Sequence, residues 1–409
     1  MKNFFKTILF SHLFFYANSI EAQWVNINAP TLDSGNSIYF TSSDTGYMVS
    51  ADFNNGGKIF KTTDGANWTN QLAISDYLFT VHFVSSQVGW VGGGQVGGGI
   101  IMKTTDGGST WNIQNSNCEQ IMSLFFVNDT LGWAVANDAS QGSYYIYHTS
   151  DGGLSWTTQQ TGQDYVRSVF FISETTGWIA GDNGRIFGTT NGGVTWNLLS
   201  TGVVFHFNDI HFVSPTEGWS VGQYSIGGCY KTIDGGATWT SVSLPTNNAI
   251  SSVYFISSNE GWICGDNGIV LKTNDGGATW QTELTNTMNW LNALFFVDST
   301  TGYAAGNVGT ILKYSNPTAL QEKGDAVGIQ IYPNPSKGIF NIVHQTNSEK
   351  TTHLSIDLYS AQGTCIKTFN FNLEESISSI DLSGYPSGFY FLRIMDKEES
   401  FFKRIALEK

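Results

Sequence analysis

Charged side chains are scarce in this chain of 409 residues, at 13% of the total. Lys and Arg number only 19 against 33 Asp and Glu, a formal charge of −14. A chain so poor in basic residues has no cationic stripe, which excludes nucleic acid and an anionic membrane surface as partners. No apolar run reaches the ~20 residues that a membrane span needs. The four cysteines, Cys118, Cys229, Cys264 and Cys365, form no CxxC pair. They read as buried single thiols, with a Cys229–Cys264 disulfide as the alternative. The 7 His are scattered without ligand spacing, and there is no nucleophile elbow, phosphate loop or metal motif. Nothing calls for a cofactor or a metal. A helical period is also missing, which points to β-structure.

The N-terminus has a different composition. Lys2 and Lys6 precede the apolar stretch "ILFSHLFFY" at 8–16, and "IEA" at 20–22 ends on a small residue. Residues 1–22 therefore read as a secretory signal peptide, with the mature chain starting at Gln23.

Glycine (46) and tryptophan (13) are abundant, and they recur in order. A turn motif appears as "TTDGANW", "TTDGGSTW", "TSDGGLSW", "TTNGGVTW", "TIDGGATW" and "TNDGGATW", ending at Trp68, Trp111, Trp156, Trp196, Trp239 and Trp280. A second motif, as in "FVSSQVGW" and "FISETTGW", places Phe at 40, 83, 126, 171, 212, 255 and 296. Each unit reads as four short strands, and four strands in every ~40–45 residues is the mark of a propeller blade. The first motif occurs six times and the second seven. The last unit, 294–314, has three strands and no turn motif, whereas "WVNIN" at 24–28 looks like a fourth strand without its first three. Pairing the two predicts a seven-bladed β-propeller over 23–314, closed by the N-terminal strand. Closure removes open sheet edges.

In the turn motif, Asp64, Asp106, Asp151, Asn191, Asp234 and Asp275 accept backbone N–H groups, while paired glycines supply positive φ. Their recurrence in each unit makes them scaffold. This turn resembles the Asp-box, or bacterial neuraminidase repeat. Over 23–314, units such as "GWICGDNGIVLKTNDGGATW" resemble the propellers of the photosystem II stability and assembly factor family. That resemblance implies architecture; the fold hosts many functions.

Residues 315–327 lack the repeat and read as a linker, after which seven alternating segments predict a small immunoglobulin-like β-sandwich over 328–409. "YPNPSKG" at 332–338, "LYSAQG" at 358–363 and "IDLSGYPSGFYFLRI" at 380–394 resemble the type A C-terminal sorting domain of type IX secretion substrates in Bacteroidetes-type bacteria. The motif residues are Tyr332, Pro333, Asn334, Pro335, Gly338, Gly388 and Tyr390. The resemblance implies passage through the periplasm and across the outer membrane with the type IX machinery as partner, to the cell surface or the medium.

If the Trp strand is outermost, the residues six before each motif Phe head the inner strands on one rim, opposite the Asp-box turns. Tyr77, Tyr165, His206 and Trp290 stand there, near Arg167, Asn208 and Asn292, and the loops after "GW" add Asp182 and Asp266. Rings beside amides and carboxylates suit a glycan or an extended peptide. A sialidase needs a cluster of arginines, and the propeller has only Arg167 and Arg185. A glycoside hydrolase built on Asp182 and Asp266 is the alternative, requiring carboxyls ~5–9.5 Å apart. The reading favours a monomeric binding module over an enzyme.

Overall fold

The structure, a computed structural model, describes residues 23–27, 31–52, 54–115, 118–223, 226–315, 329–334, 336–344, 353–360, 365–372, 377–396 and 399–408. The signal segment 1–22, the linker beyond Ser315, Pro335 and the Cys365 side chain lie outside what it describes.

Two compact units meet in the chain between Asn316 and Pro317. In the first, four-stranded antiparallel sheets succeed one another in chain order. Their first strands are Ser34–Phe40, Leu78–Phe83, Gln120–Phe126, Val166–Phe171, His206–Phe212, Ile250–Phe255 and Leu291–Phe296. Burial within a sheet explains the residue choice. Second strands such as Gly132–Asp138 are buried along their whole length, which small and β-branched residues allow. Fourth strands such as Thr157–Gln163 are polar and largely open to solvent. The strand that follows the Asp-box is therefore an edge strand of its sheet, the condition on which the rim assignment depends.

The sheet led by Leu291–Phe296 is completed from the other end of the chain. Gln23–Ile27 pairs antiparallel with Ile311–Ser315, setting Trp24 opposite Tyr314. Trp24 is 1% exposed. Its ring meets Phe296 edge-on at 5.8 Å, the contact that Trp68, Trp111 and Trp156 make with Phe40, Phe83 and Phe126 in their own sheets.

Neighbouring sheets are joined by face-to-face stacks. The aromatic of each "GW" or "GY" lies on the motif Phe of the next sheet, as in Trp90–Phe126 at 3.6 Å and Trp133–Phe171 at 3.5 Å. Tyr303, in the sheet of Leu291–Phe296, stacks at 3.6 Å on Phe40, in the sheet of Ser34–Phe40. One residue before each motif Phe, a second series of rings makes contact from sheet to sheet. Tyr39 meets His82 (5.1 Å), His82 meets Phe125 (4.6 Å), and Phe125 meets Phe170 (5.2 Å). The series continues through His211 and Tyr254 to Phe295, which is 4.6 Å from Tyr39. Tilted and edge-on ring pairs of this spacing contribute beyond their buried area.

The second unit has two antiparallel sheets. One holds Ile329–Tyr332, Ile339–His344 and Ile377–Asp381; the other holds His353–Ser360, Cys365–Asn372, Gly388–Asp396 and Glu399–Leu407. Phe340, Ile342 and Ile380 from the first share a core with Ile356, Leu358, Leu392 and Ile405 from the second. Among the described residues no α-helix occurs, and no helix is long and apolar enough to cross a membrane. Cys118, Cys229 and Cys264 are free and buried, so the Cys229–Cys264 disulfide is not formed. Each packs as a small apolar group.

Candidate functional site

Antiparallel order sends the heads of the first strands and the loops between second and third strands to one edge of the sheets. The Asp-box turns, which join third to fourth strands, fall on the opposite edge.

Each first strand carries a β-bulge two residues after its head, at Asn36, Phe79, Met122, Arg167, Asn208, Ser251 and Asn292. A bulge re-aims the extra side chain. Because Val166 pairs with Gly181, the bulged Arg167 comes to lie beside Asp182. Its guanidinium donates to both carboxylate oxygens, Nε to Oδ1 at 2.6 Å and Nη2 to Oδ2 at 3.1 Å. Nδ1 of His206, from the next sheet, is 3.1 Å from the same Oδ1. The Asp182 backbone N–H donates to Tyr165 O at 2.9 Å, which fixes the loop to the strand head. Arg185 is paired likewise with Asp164 at 2.7 Å.

Of the residues singled out from sequence, Arg167, Asp182 and His206 are thus brought together, with Tyr165 in the backbone link. Tyr77, Asp266 and Trp290 stand on other sheets of the same edge. The Tyr77 ring leans on Phe79 at 6.4 Å. Trp290 reaches the neighbouring sheet, its indole N–H donating to Ser251 Oγ at 2.5 Å. Asp266 Oδ1 accepts the N–H of Asn267 at 2.7 Å. The Arg167 guanidinium is engaged by the buried Asp182 carboxylate in a bidentate pair. Among the described residues no group of three or more His, Cys, Asp or Glu is arranged to hold a metal.

Sequence reasoning missed a polar ladder just below. Asn36, Asn137, Asn208 and Asn292 donate their side-chain amides to Leu78 O, Val166 O, Ile250 O and Gly35 O, each on the next sheet, at 2.8–3.0 Å. Ser37, Thr80 and Ser123 accept the N–H of Val81, Leu124 and Val169 in the same sense. Asp209 takes this role between three sheets. It accepts from Ser168 Oγ (2.8 Å), Ser252 Oγ (2.9 Å) and Val253 N (3.0 Å). Burial outweighs these donors and pushes its carboxyl above the usual range. The signal was the alignment of first strands by their motif Phe, which sets Ser37, Thr80, Ser123, Ser168, Asp209 and Ser252 in one register.

On the other edge, Asp106 Oδ1 accepts the N–H of Thr110 at 2.9 Å and Oδ2 the Thr110 hydroxyl at 2.6 Å. Asp151, Asp234 and Asp275 repeat the pattern. Asp64 caps its turn through Ala66 and Asn67. Asn191 keeps the N–H acceptor at 3.0 Å and donates to Thr195 instead. Hydrogen bonds from Thr110 hold the Asp106 carboxyl down at about 2.

The family model described as "Secretion system C-terminal sorting domain" matches residues 330–408, and "Photosynthesis system II assembly factor YCF48" matches 160–249, 195–288 and 246–315. The chain carries assembly factor-type propeller repeats and ends in a type IX secretion sorting domain. It is similar in structure to YCF48 bound to D1 peptide (TM-score 0.60, 18% identity, 72% of this chain and 97% of that one). It is similar also to YCF48 from Cyanidioschyzon merolae (0.60, 19%, 72% and 99%). PorZ, a surface component of the type IX secretion system of Porphyromonas gingivalis, aligns over 92% of this chain and 60% of its own (0.53, 12%). At these identities the likeness is one of fold. No curated protein sequence matches the chain significantly.

The sorting domain's own motif is tied to its last strand. Asn334 Oδ1 accepts the N–H of Ala406 at 2.8 Å, and Ser336 exchanges backbone bonds with Ala406 and Glu408 at 2.9 Å. The Tyr390 hydroxyl donates to Pro386 O at 2.8 Å. Gly338 adopts φ 153 with Ser383 packed against it, so a Cβ there would lie 2.9 Å from Ser383 Cβ. Such a domain marks the protein for secretion or the outer surface.

Proposed function

We propose that this protein is an exported propeller that binds an extracellular glycan or peptide at the strand-head rim without cleaving it. It reaches the exterior through the periplasm by type IX secretion. The observation that carries the binding reading is the Asp182 carboxylate, held by Arg167 and His206. Both oxygens of that carboxylate are already engaged, one by Arg167 Nε and the other by Nη2, with His206 beside the first, so the group is built into the rim as a fixed recognition element. The hydrolase alternative keeps one support, a fold shared with a xyloglucanase from Xanthomonas campestris (TM-score 0.56, 11% identity). YCF48 bound to D1 peptide is a precedent for a ligand on a propeller of this type.

The site rests on a closed ring of seven blades over 23–314, followed by a linker and an immunoglobulin-like sandwich over 328–409. Support for closure comes from the pairing of Gln23–Ile27 with Ile311–Ser315 and from contacts between the sheets of Leu291–Phe296 and Ser34–Phe40. The mature protein acts as a monomer.

Binding of the purified protein to glycan and peptide arrays tests the reading, with Trp290→Ala, Tyr77→Ala and Asp182→Asn beside the parent. Weaker binding by the Trp variant, and intact ligand recovered from the parent, are expected. Product released by the parent and lost in Asp182→Asn overturns the binding reading in favour of hydrolysis. Binding that neither Trp290→Ala nor Tyr77→Ala weakens removes the rim as the site.

A further inference from the structure

The rim is composed differently from what its sequence inventory suggests. The amides at its bulges are committed to the scaffold: Asn36, Asn208 and Asn292 bond across to the next sheet, and nearby Asn248 donates to Asp266 O at 3.3 Å. A sugar is read through its hydroxyls by such groups, and here they point into the scaffold. Over the second to fourth sheets the strand heads and bulges instead present Tyr77, Phe79, Met122 and Tyr165, all half-buried. Aromatic rings and a flexible thioether adapt to apolar side chains.

The charge around this apolar lining has one sign. The basic groups of the rim are Lys58, Arg167 and Arg185, and each is paired with a rim aspartate: Asp33 at 2.6 Å, Asp182 at 2.6 Å and Asp164 at 2.7 Å. Asp52, Asp76, Glu119, Asp138 and Asp266 add negative charge, and the described loops of this edge contain no further Lys or Arg. Asp138 lies in the same sheet as Met122 and Glu119 directly precedes that sheet's first strand; burial, with the nearby Asp138 charge, raises the Glu119 carboxyl. A low-dielectric mouth ringed by one sign of charge attracts the opposite sign.

We infer that the rim is a docking surface for an extended peptide segment in which apolar side chains alternate with Lys or Arg. The apolar side chains seat on Phe79, Met122 and Tyr77, and the cationic ones face the acidic loops. The inference rests on the binding reading above and narrows its ligand class.

The test uses the full mature chain and a fluorescently labelled ten-residue peptide alternating Lys and Leu. Control probes are the Lys/Ser peptide of equal charge, the Glu/Leu peptide of equal apolarity, and cellohexaose. The Lys/Leu peptide is expected to bind at least about tenfold tighter than either control peptide, as a desolvated apolar anchor requires. Phe79→Ser with Met122→Ser should remove about tenfold of that affinity. Glu119→Gln with Asp138→Asn should weaken binding and flatten its salt dependence, since exposed charges are screened within ~10 Å at 0.1 M salt. An unchanged urea midpoint shows that each variant is folded. Equal binding of the Lys/Ser peptide overturns the apolar part, and equal or tighter binding of the Glu/Leu peptide overturns the charge part. Cellohexaose binding that is lost in Trp290→Ala keeps the rim as a site and rejects the peptide class. If no probe binds, or the Phe79/Met122 variant binds as the parent does, the docking surface is rejected.

Discussion

Mild acid should loosen the propeller through His82 and His211. Each ring is sandwiched between aromatic neighbours of adjacent sheets, and each Nε2–H donates to the carbonyl of the next motif Phe, Phe126 at 2.9 Å and Phe255 at 3.0 Å. Burial pushes both imidazoles down to about 4 from an ordinary 6.5, the carbonyl bond offsetting only part of the effect. Below pH 6.5 the unfolded chain takes up a proton at each position, and the folded chain resists until about pH 4. Stability is therefore full above pH 6.5, falls as pH drops through this window, and reaches its floor below pH 4. The full loss is about 3 kcal/mol per histidine, and about 2 kcal/mol of it has occurred by pH 5.

Two histidines together thus cost about 4 kcal/mol between pH 7.5 and pH 5. Asp209 and Glu119 act in the opposite sense, because burial raises their carboxyls and folding then favours the protonated form as pH falls. Substitution isolates the histidine slope. Phe125 and Phe170 occupy the same register in their sheets, so His82→Phe and His211→Phe fit the ring series. Each loses one hydrogen bond, a pH-independent offset of about 1 kcal/mol. Urea unfolding followed by Trp fluorescence from pH 5 to 8 should give a steep parent profile and a much shallower double variant, whose remaining slope belongs to His148, which burial also lowers. If the double variant keeps the parent's slope, the assignment to these histidines is wrong.

Truncating Trp24 to Ala empties a fully enclosed site in the sheet that the N-terminal strand completes. A loss of about 3–5 kcal/mol is expected for a large buried ring, read as a lower urea midpoint for the whole propeller; parental unfolding argues against closure. Removing the chain from Ser400 onward takes away Ile405 and Leu407, both in the sorting domain's core. Nearly all of the truncated protein should accumulate in the periplasm, and undiminished levels in the medium or on the surface would rule out the type IX route.

What the sequence revealed is what depends on neighbours in the chain. The Asp-box is a seven-residue device, and its hydrogen bonds join Asp106 to Thr104 and Thr110 within one hairpin. Trp24 was legible because its partner motif was missing at the other end. The ladders between sheets were not, since Asn292 reaches Gly35 across 257 positions and Asp209 serves partners 41 and 43 residues away on either side. The ring series at 39, 82, 125, 170, 211, 254 and 295 escaped notice because Tyr, His and Phe in a strand read as ordinary β-formers. The Arg167–Asp182 pair was in reach: pairing Phe171 with Gly177 across the hairpin, plus one bulge, brings positions 167 and 182 together.

That ring series also bears on how a ligand can be held. Rings in contact at 4.6–5.3 Å run from sheet to sheet below the bulges, returning from Phe295 to Tyr39. Beneath the strand heads the Asp209 ladder is likewise occupied in joining sheets. Affinity therefore has to come from the strand heads and bulges alone. These are the positions where residue type changes most from sheet to sheet, from Tyr77 to Gln120 to Tyr165 to His206, while the layers beneath keep to rings or mainly to Ser, Thr and Asp. Layers that keep one chemistry suit a scaffold, and the varied layer is the one that can distinguish ligands.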